Sequence, residues 1–177
     1  MIFSKAKISD LDEVGNLYDA VCDYLNKHIN YPGWKKGIYP TAEDARKGIE
    51  EGALYVVKSH GKIAGTVILR HEPEDGYKNA KWLTESCYDN IYVVYTLAVH
   101  PDFLRLGIGK MLLDQAEKLA VSEGCTSLRL DVVQGNIPAE NLYEKCGYRY
   151  VGTVSLGYEE YGLPWYRLYE KVLRNCQ

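Results

Sequence analysis

The sequence has no long apolar run, no basic excess and no paired cysteines, and each absence removes a class of protein. No apolar stretch approaches the roughly 18 residues of a membrane-spanning helix. Lys and Arg number 21 against 24 Asp and Glu, a formal charge of −3, so the chain lacks the basic footprint of a nucleic-acid or anionic-membrane binder. A cationic ligand suits it better. The five cysteines, Cys22, Cys87, Cys125, Cys146 and Cys176, are odd in number and form no Cys-x-x-Cys pair; neither a disulfide framework nor a zinc site is indicated, and no metal is expected. No leader-like segment precedes Ser4, and reduced thiols in a cytoplasmic protein are the expectation. Internal repeats and low-complexity segments are also lacking. The 177 residues, 46% of them hydrophobic, fit one domain, 1–177, with a sizeable core.

What is present reads as alternating elements. Residues 2–8 alternate weakly, and Ser9, Asp10, Leu11 and Asp12 form a capping sequence before a helix whose apolar face is Leu11, Val14, Leu17, Tyr18, Val21 and Leu25. Thr41 to Asp44 repeats the capping logic for a short helix that Gly52 stops. Residues 53–59 and 63–70 flank His60, Gly61 and Lys62 as an antiparallel hairpin. Residues 72–89 are polar, carry Glu74, Asp75 and Gly76, and read as a loop with local structure. From Asn90 the order is strand 91–99, helix 107–121, strand 128–133, a helix entered at Pro138, and strands 148–156 and 165–173. The first two of these strands should be parallel neighbours joined by a right-handed crossover.

Two clusters carry the chemistry. In the first, residues 97–110, a strand sequence turns into a glycine-rich helix start. Gly107 and Gly109 remove side chains where backbone N–H groups could close on a phosphate at the positive end of the helix dipole. The second holds Asn136, Pro138, Asn141, Tyr143, Gly147 and Tyr148. Together they resemble the GNAT superfamily of acyl-CoA-dependent N-acetyltransferases, over about residues 90–152 and, elsewhere, in the order of elements. The family pattern Gln/Arg-x-x-Gly-x-Gly/Ala falls on residues 104–109, with Leu104 at the usual Gln/Arg position and Arg105 one residue later.

The resemblance implies a mixed α/β sheet of about seven strands, mostly antiparallel around one central parallel pair, with helices on both faces. It also implies transfer of an acetyl group from acetyl-CoA to a primary amine without a covalent enzyme adduct. Arg105, Leu106, Gly107, Ile108, Gly109 and Lys110 would cradle the pyrophosphate. Leu97, Ala98 and Val99 would pair with pantetheine as an added strand, and Asn136 and Asn141 would contact the cofactor. Asn136 also reads, after Gly135, as a turn and helix cap. Tyr143, seven residues after Asn136, matches the family position whose phenol protonates the departing thiolate.

The base is less direct. Alternation puts Ile91, Val93, Tyr95, Leu97 and Val99 on one strand face, with Val93 and Tyr95 where relatives carry Glu or His. Asp131, five residues before Asn136, matches a glutamate position of the branch that acetylates protein N-terminal amines and is the leading candidate; it also reads as a structural aspartate. Glu85 and Asp89 are further candidates. Tyr31, Trp34, Tyr39, Tyr158, Glu159, Glu160, Tyr161 and Trp165 would form an acceptor pocket, aromatics beside acids suiting an alkylammonium; as packing residues they are read equally well. The acceptor is expected to be a small-molecule amine, the alternatives being a protein or peptide amino group or a CoA-binding regulatory module without turnover. A homodimer is left open.

Overall fold

The structure, a computed structural model, describes residues 1–173; Cys176 lies outside them. Seven strands form one sheet in the order β1-β2-β3-β4-β5-β7-β6. They are β1 (Ile2–Lys5), β2 (Leu54–Ser59), β3 (Lys62–Arg70), β4 (Ile91–Val99), β5 (Ser127–Val133), β6 (Arg149–Val154) and β7 (Tyr166–Val172). The helices are α1 (Leu11–Asn26), α2 (Ala42–Glu50), α3 (Ile108–Ser122) and α4 (Ile137–Lys145). β4 and β5 are parallel, while β1–β2, β2–β3, β5–β7 and β6–β7 are antiparallel. Among the described residues no helix is long and apolar enough to cross a membrane.

The chain divides into two compact units. One holds Met1–Asn30, Trp34–Leu69 and Tyr95–Gln115; the other holds Tyr31–Gly33, Arg70–Val94 and everything from Ala116 on. In the first, the expected face of α1 is buried: Leu11, Val14, Leu17, Tyr18 and Val21 pack with Leu54, Val56, Ile63 and Ile68 of the hairpin, and Leu25 is partly buried against them. α1 starts within the expected capping sequence, with Asp10 at its N-cap. A 3₁₀ turn, Ile8–Asp10, precedes the helix, and the Asp10 carboxylate accepts from Lys7 N–H (2.8 Å) and the Lys58 ammonium (2.6 Å). Burial alone would raise the Asp10 carboxyl, but those two donors outweigh it and hold it below its usual value. Thr41 caps α2 as expected: its Oγ1 accepts from Asp44 N–H at 3.3 Å, and its own N–H donates to Asp44 at 2.8 Å. The hairpin turn has two residues, His60 (φ 51) and Gly61 (φ 78), left-handed conformations that match strand twist.

In the second unit β7 lies between β5 and β6, with Asp131 opposite Leu168 and Arg129 opposite Glu170. Arg129 and Glu170 form a buried ion pair, Nε to Oε1 3.0 Å. Residues 72–89 contain two 3₁₀ turns, Asp75–Asn79 and Tyr88–Asn90.

β4 is interrupted part-way along the face that alternation assigns to Ile91, Val93, Tyr95, Leu97 and Val99. Thr96 has φ 44, a left-handed break in the regular strand. Ile91, Tyr92, Val93 and Val94 are all buried before it, whereas from Thr96 on burial alternates, Thr96 and Ala98 buried and Leu97 and Val99 partly exposed. Pairing with β5 runs from Ile91↔Ser127 to Val94↔Leu130, ending before the kink.

Candidate active site

In the first unit, β4 ends where His100 N–H donates to Ala64 O at 2.9 Å. A single 3₁₀ turn, Pro101–Phe103, follows, and His100 Nδ1 accepts from Asp102 N–H at 3.2 Å. The chain then enters α3 through two left-handed residues, Arg105 (φ 63) and Gly107 (φ 78). A Cβ on Gly107 would meet no atom within 4 Å, so glycine is required here by conformation rather than by crowding. The first N–H groups of α3 have no intrahelical acceptor, the feature by which a helix start can hold an anion.

A glycine earlier in the chain sets that helix start. A Cβ on Gly65 in β3 would lie 2.7 Å from Ile108 Cγ2 and 3.0 Å from Ala98 O; only glycine lets α3 seat this closely. The kink at Thr96 is pinned from the loop between α1 and α2, where the Tyr39 hydroxyl and Thr96 Oγ1 are 2.5 Å apart. Trp34 meets the Tyr39 ring edge-on at 5.9 Å. Lys110 pairs with Asp114 at 2.5 Å, and Arg105 is exposed.

In the second unit a different construction surrounds Asp131. The Tyr77 hydroxyl donates to Asp131 Oδ2 at 2.7 Å. Burial pushes the Asp131 carboxyl up to about 7, the Tyr77 hydrogen bond opposes the rise and Glu74 adds to it. Glu74 is itself raised, first by burial and then by Asp75, and accepts a hydrogen bond from Tyr158 that opposes the rise. Tyr143 is buried between Tyr148 and Tyr169, with ring centroids at 6.0 and 6.1 Å. Burial and then the Asp131 charge raise its phenol well above the ordinary value, so it stays protonated throughout the neutral range.

The model of the acetyltransferase (GNAT) family matches residues 18–148, which include the α3 turn, Asp131 and Tyr143. The chain belongs to that family. Its fold is also that of solved structures at low identity. A GNAT acetyltransferase from Streptococcus agalactiae is 20% identical with a TM-score of 0.83, covering 98% of this chain and 95% of that one. One from Listeria monocytogenes is 20% identical, TM-score 0.75, over 97% and 94%. The ribosomal-protein-S18-alanine N-acetyltransferase from Escherichia coli is 17% identical, TM-score 0.69, over 97% and 93%. The protein is an acyl-CoA-dependent N-acetyltransferase, and its family uses acetyl-CoA as donor.

The sites expected in this acetyltransferase fall unevenly. Arg105, Leu106, Gly107, Ile108, Gly109 and Lys110 form the turn and first turn of α3 in one unit. Asp131 and Tyr143 come together in the other. Asn136 is the N-cap of α4, its Oδ1 accepting from Ala139 N–H at 3.4 Å, so the cap reading is realised. Asn141 is exposed on α4, and Glu85 and Asp89 are exposed. Of the aromatics, Trp34 packs on the first unit's core, whereas Tyr158 sits beside Tyr161 and Tyr166, at 6.5 and 5.8 Å, and holds Glu74. Glu159 bonds to Ser155, and Trp165 is exposed. Sequence reasoning missed Glu74 and Tyr77, which lie over fifty residues before Asp131 in a segment without periodicity. The one available signal was Gly76: a Cβ there would lie 2.5 Å from Ser155 O, a close approach of the kind glycine marks.

Proposed function

We propose that the whole chain, 1–177, acts as one cytoplasmic domain that transfers the acetyl group of acetyl-CoA to a primary amine, first of all that of a small molecule. The observation that carries this reading is the left-handed Gly107 turn with open space at the start of α3, inside the family-matched span. The backbone N–H groups of residues 105–110 would hold the pyrophosphate, with Arg105 and Lys110 adding charge. The backbone of Leu97, Ala98 and Val99 would pair with pantetheine. Acetyl-CoA supplies the activated acyl group. Asp131, ionised near pH 7, takes the ammonium proton and so frees the nitrogen lone pair. Tyr143, neutral, gives its proton to the departing thiolate, whose conjugate acid has a pKa of about 8 to 9.

A peptide amino terminus is the second acceptor class. It is favoured by the Asp131 to Tyr143 arrangement, which matches the N-terminal-amine branch in the sequence, and by the fold shared with the alanine N-acetyltransferase of Escherichia coli.

The test has two steps. Acetyl-CoA should raise Tm, because a ligand that binds only the native state stabilises it by about 2.7 kcal/mol at a hundredfold excess over Kd. Gly107→Glu, which adds strain and like charge at the turn, should remove that rise; a folded variant with normal acetyl-CoA affinity refutes the cradle. Thiol release is then followed with putrescine, spermidine, free amino acids and peptides beginning with alanine. Stabilisation by acetyl-CoA without thiol release from any of them would return the non-catalytic reading.

A further inference from the structure

The polar segment that precedes β4 is anchored from beneath by a buried ion pair. The Arg129 and Glu170 side chains are 3% and 0% exposed. Glu170 Oε2 accepts from Leu83 N–H at 2.5 Å and Thr84 N–H at 3.3 Å, while Oε1 accepts from Thr84 Oγ1 at 2.6 Å. Arg129 Nη2 donates to Thr84 O at 2.7 Å, and the guanidinium lies 4.3 Å from the Trp82 ring centre and 5.0 Å from that of Tyr88. Trp82 passes the restraint on. Its Nε1–H donates to Tyr77 O at 2.9 Å, and its ring centre is 5.0 Å from that of Tyr77. On the other side of Tyr77, Gly76 sits against Ser155 O too closely for any Cβ. Tyr77 is 1% exposed, so its hydroxyl had to find an acceptor. The acceptor is one oxygen of Asp131, two residues along β5 from Arg129 and on the same strand face.

We propose that Tyr77 is a positioning residue for Asp131: held by the Trp82 and Arg129–Glu170 anchor, it occupies Oδ2 and turns Oδ1 toward the acceptor as the oxygen that takes the proton. This rests on Asp131 being the base. In that step an N–H bond of the acceptor ammonium breaks, an O–H bond forms at Oδ1, and the lone pair stays on nitrogen. A tyrosine that only fills space would leave the affinity of Asp131 for a proton untouched; a donor to Oδ2 stabilises the carboxylate and lowers that affinity. The other titratable groups around Asp131 are Glu74, which disfavours its ionised form, and Tyr143 and Tyr158, whose phenols respond to its charge. Arg129 is balanced by Glu170.

The experiment follows the ¹³Cγ resonance of Asp131 through a pH titration in protein labelled at aspartate, with Asp131→Asn assigning the signal; no acceptor is needed. Tyr77→Phe should raise the midpoint by about one pH unit. Site-specific 3-fluorotyrosine at position 77 keeps the shape, guards against a folding defect, and as a stronger donor should lower it. The acidic limb of kcat/KM, measured with the amine from the panel that gives the fastest thiol release, should move in the same two directions. If the carboxyl titrates alike in all three proteins, the positioning role is overturned whatever Asp131→Asn does to the rate. If the carboxyl moves but the limb stays, Asp131 is not the base and the role falls with that reading. A lower rate with an unmoved midpoint is a structural effect and overturns the proposal.

Discussion

The two compact units present their candidate functional groups by opposite means. In the first, the turn into α3 is made of backbone: two left-handed residues, a helix start, and a glycine in β3 that lets the helix approach. In the second, Asp131 and Tyr143 are set by other side chains, namely Tyr77, Glu74, Tyr148 and Tyr169, and through them by a buried ion pair. A backbone site depends on φ and on the lack of side chains, so it tolerates change among its neighbours and fails only where conformation is demanded. A side-chain site depends on desolvated groups, and each partner removed leaves another unsatisfied.

The comparison is tested most severely at Arg129. Arg129→Met keeps most of the apolar stem but leaves the Glu170 carboxylate buried without its cation, a loss of about 3–5 kcal/mol, measurable by urea unfolding. Turnover should fall with it while acetyl-CoA still raises Tm at temperatures where the variant is folded. Equal damage to both would mean that the two constructions are not independent. Adding Glu170→Gln should recover part of the stability, because the amide oxygen still accepts from Leu83 and Thr84.

Next in size is Tyr143→Phe. The ring contacts at about 6 Å to Tyr148 and Tyr169 remain, so acetyl-CoA affinity should hold while kcat falls by about 10²-fold. Unchanged turnover at saturating acceptor would show that the thiolate leaves without this proton.

These two constructions also differ in how far the sequence showed them. The glycine turn was readable because conformation favours glycine locally: Gly107, at φ 78, immediately precedes the helix start it serves. Tyr143 was readable only through a family pattern, since sixteen tyrosines make any one uninformative. Strands, hairpin and the parallel pair followed from periodicity. The kink at Thr96 did not, because a threonine at positive φ contradicts local preference and is held by Tyr39, 57 positions away. The capping sequence at Ser9 to Asp12 did place the start of α1, at Asp10, but not the partner of its carboxylate, Lys58, which only the fold brings near. Tyr77 and Glu74 were out of reach, because only the tertiary fold brings that hydroxyl and that charge to Asp131.

Asp131 carries a smaller effect with a sign that can be checked. Burial pushes its folded-state carboxyl up to about 7, above the ordinary 3.8, so the folded state holds the proton more tightly than the unfolded chain. Its contribution to stability is therefore present below about pH 4 and lost as pH rises to 7. Asp131→Asn should unfold at higher urea than wild type at pH 8, and the difference should close toward pH 4. In kcat/KM the variant should lose the limb near 7; the same limb and plateau in both proteins would remove Asp131 from the reaction.

The smallest effect separates conformation from charge within the backbone site. Arg105 is exposed and has φ 63, so it combines a screened cation with a left-handed backbone that costs a non-glycine residue about 1 kcal/mol. Arg105→Ala loses the charge and keeps the strain; Arg105→Gly loses both, though glycine's freer unfolded chain returns some of the gain. If the charge contacts pyrophosphate, both variants should weaken acetyl-CoA by about fivefold, the order of one exposed ion pair. Without ligand, Arg105→Gly should then be the more stable of the two by a few tenths of a kcal/mol. Should Arg105→Gly bind acetyl-CoA as well as wild type while Arg105→Ala does not, the conformation of residue 105 matters and its guanidinium does not. The turn would then be a site of backbone alone.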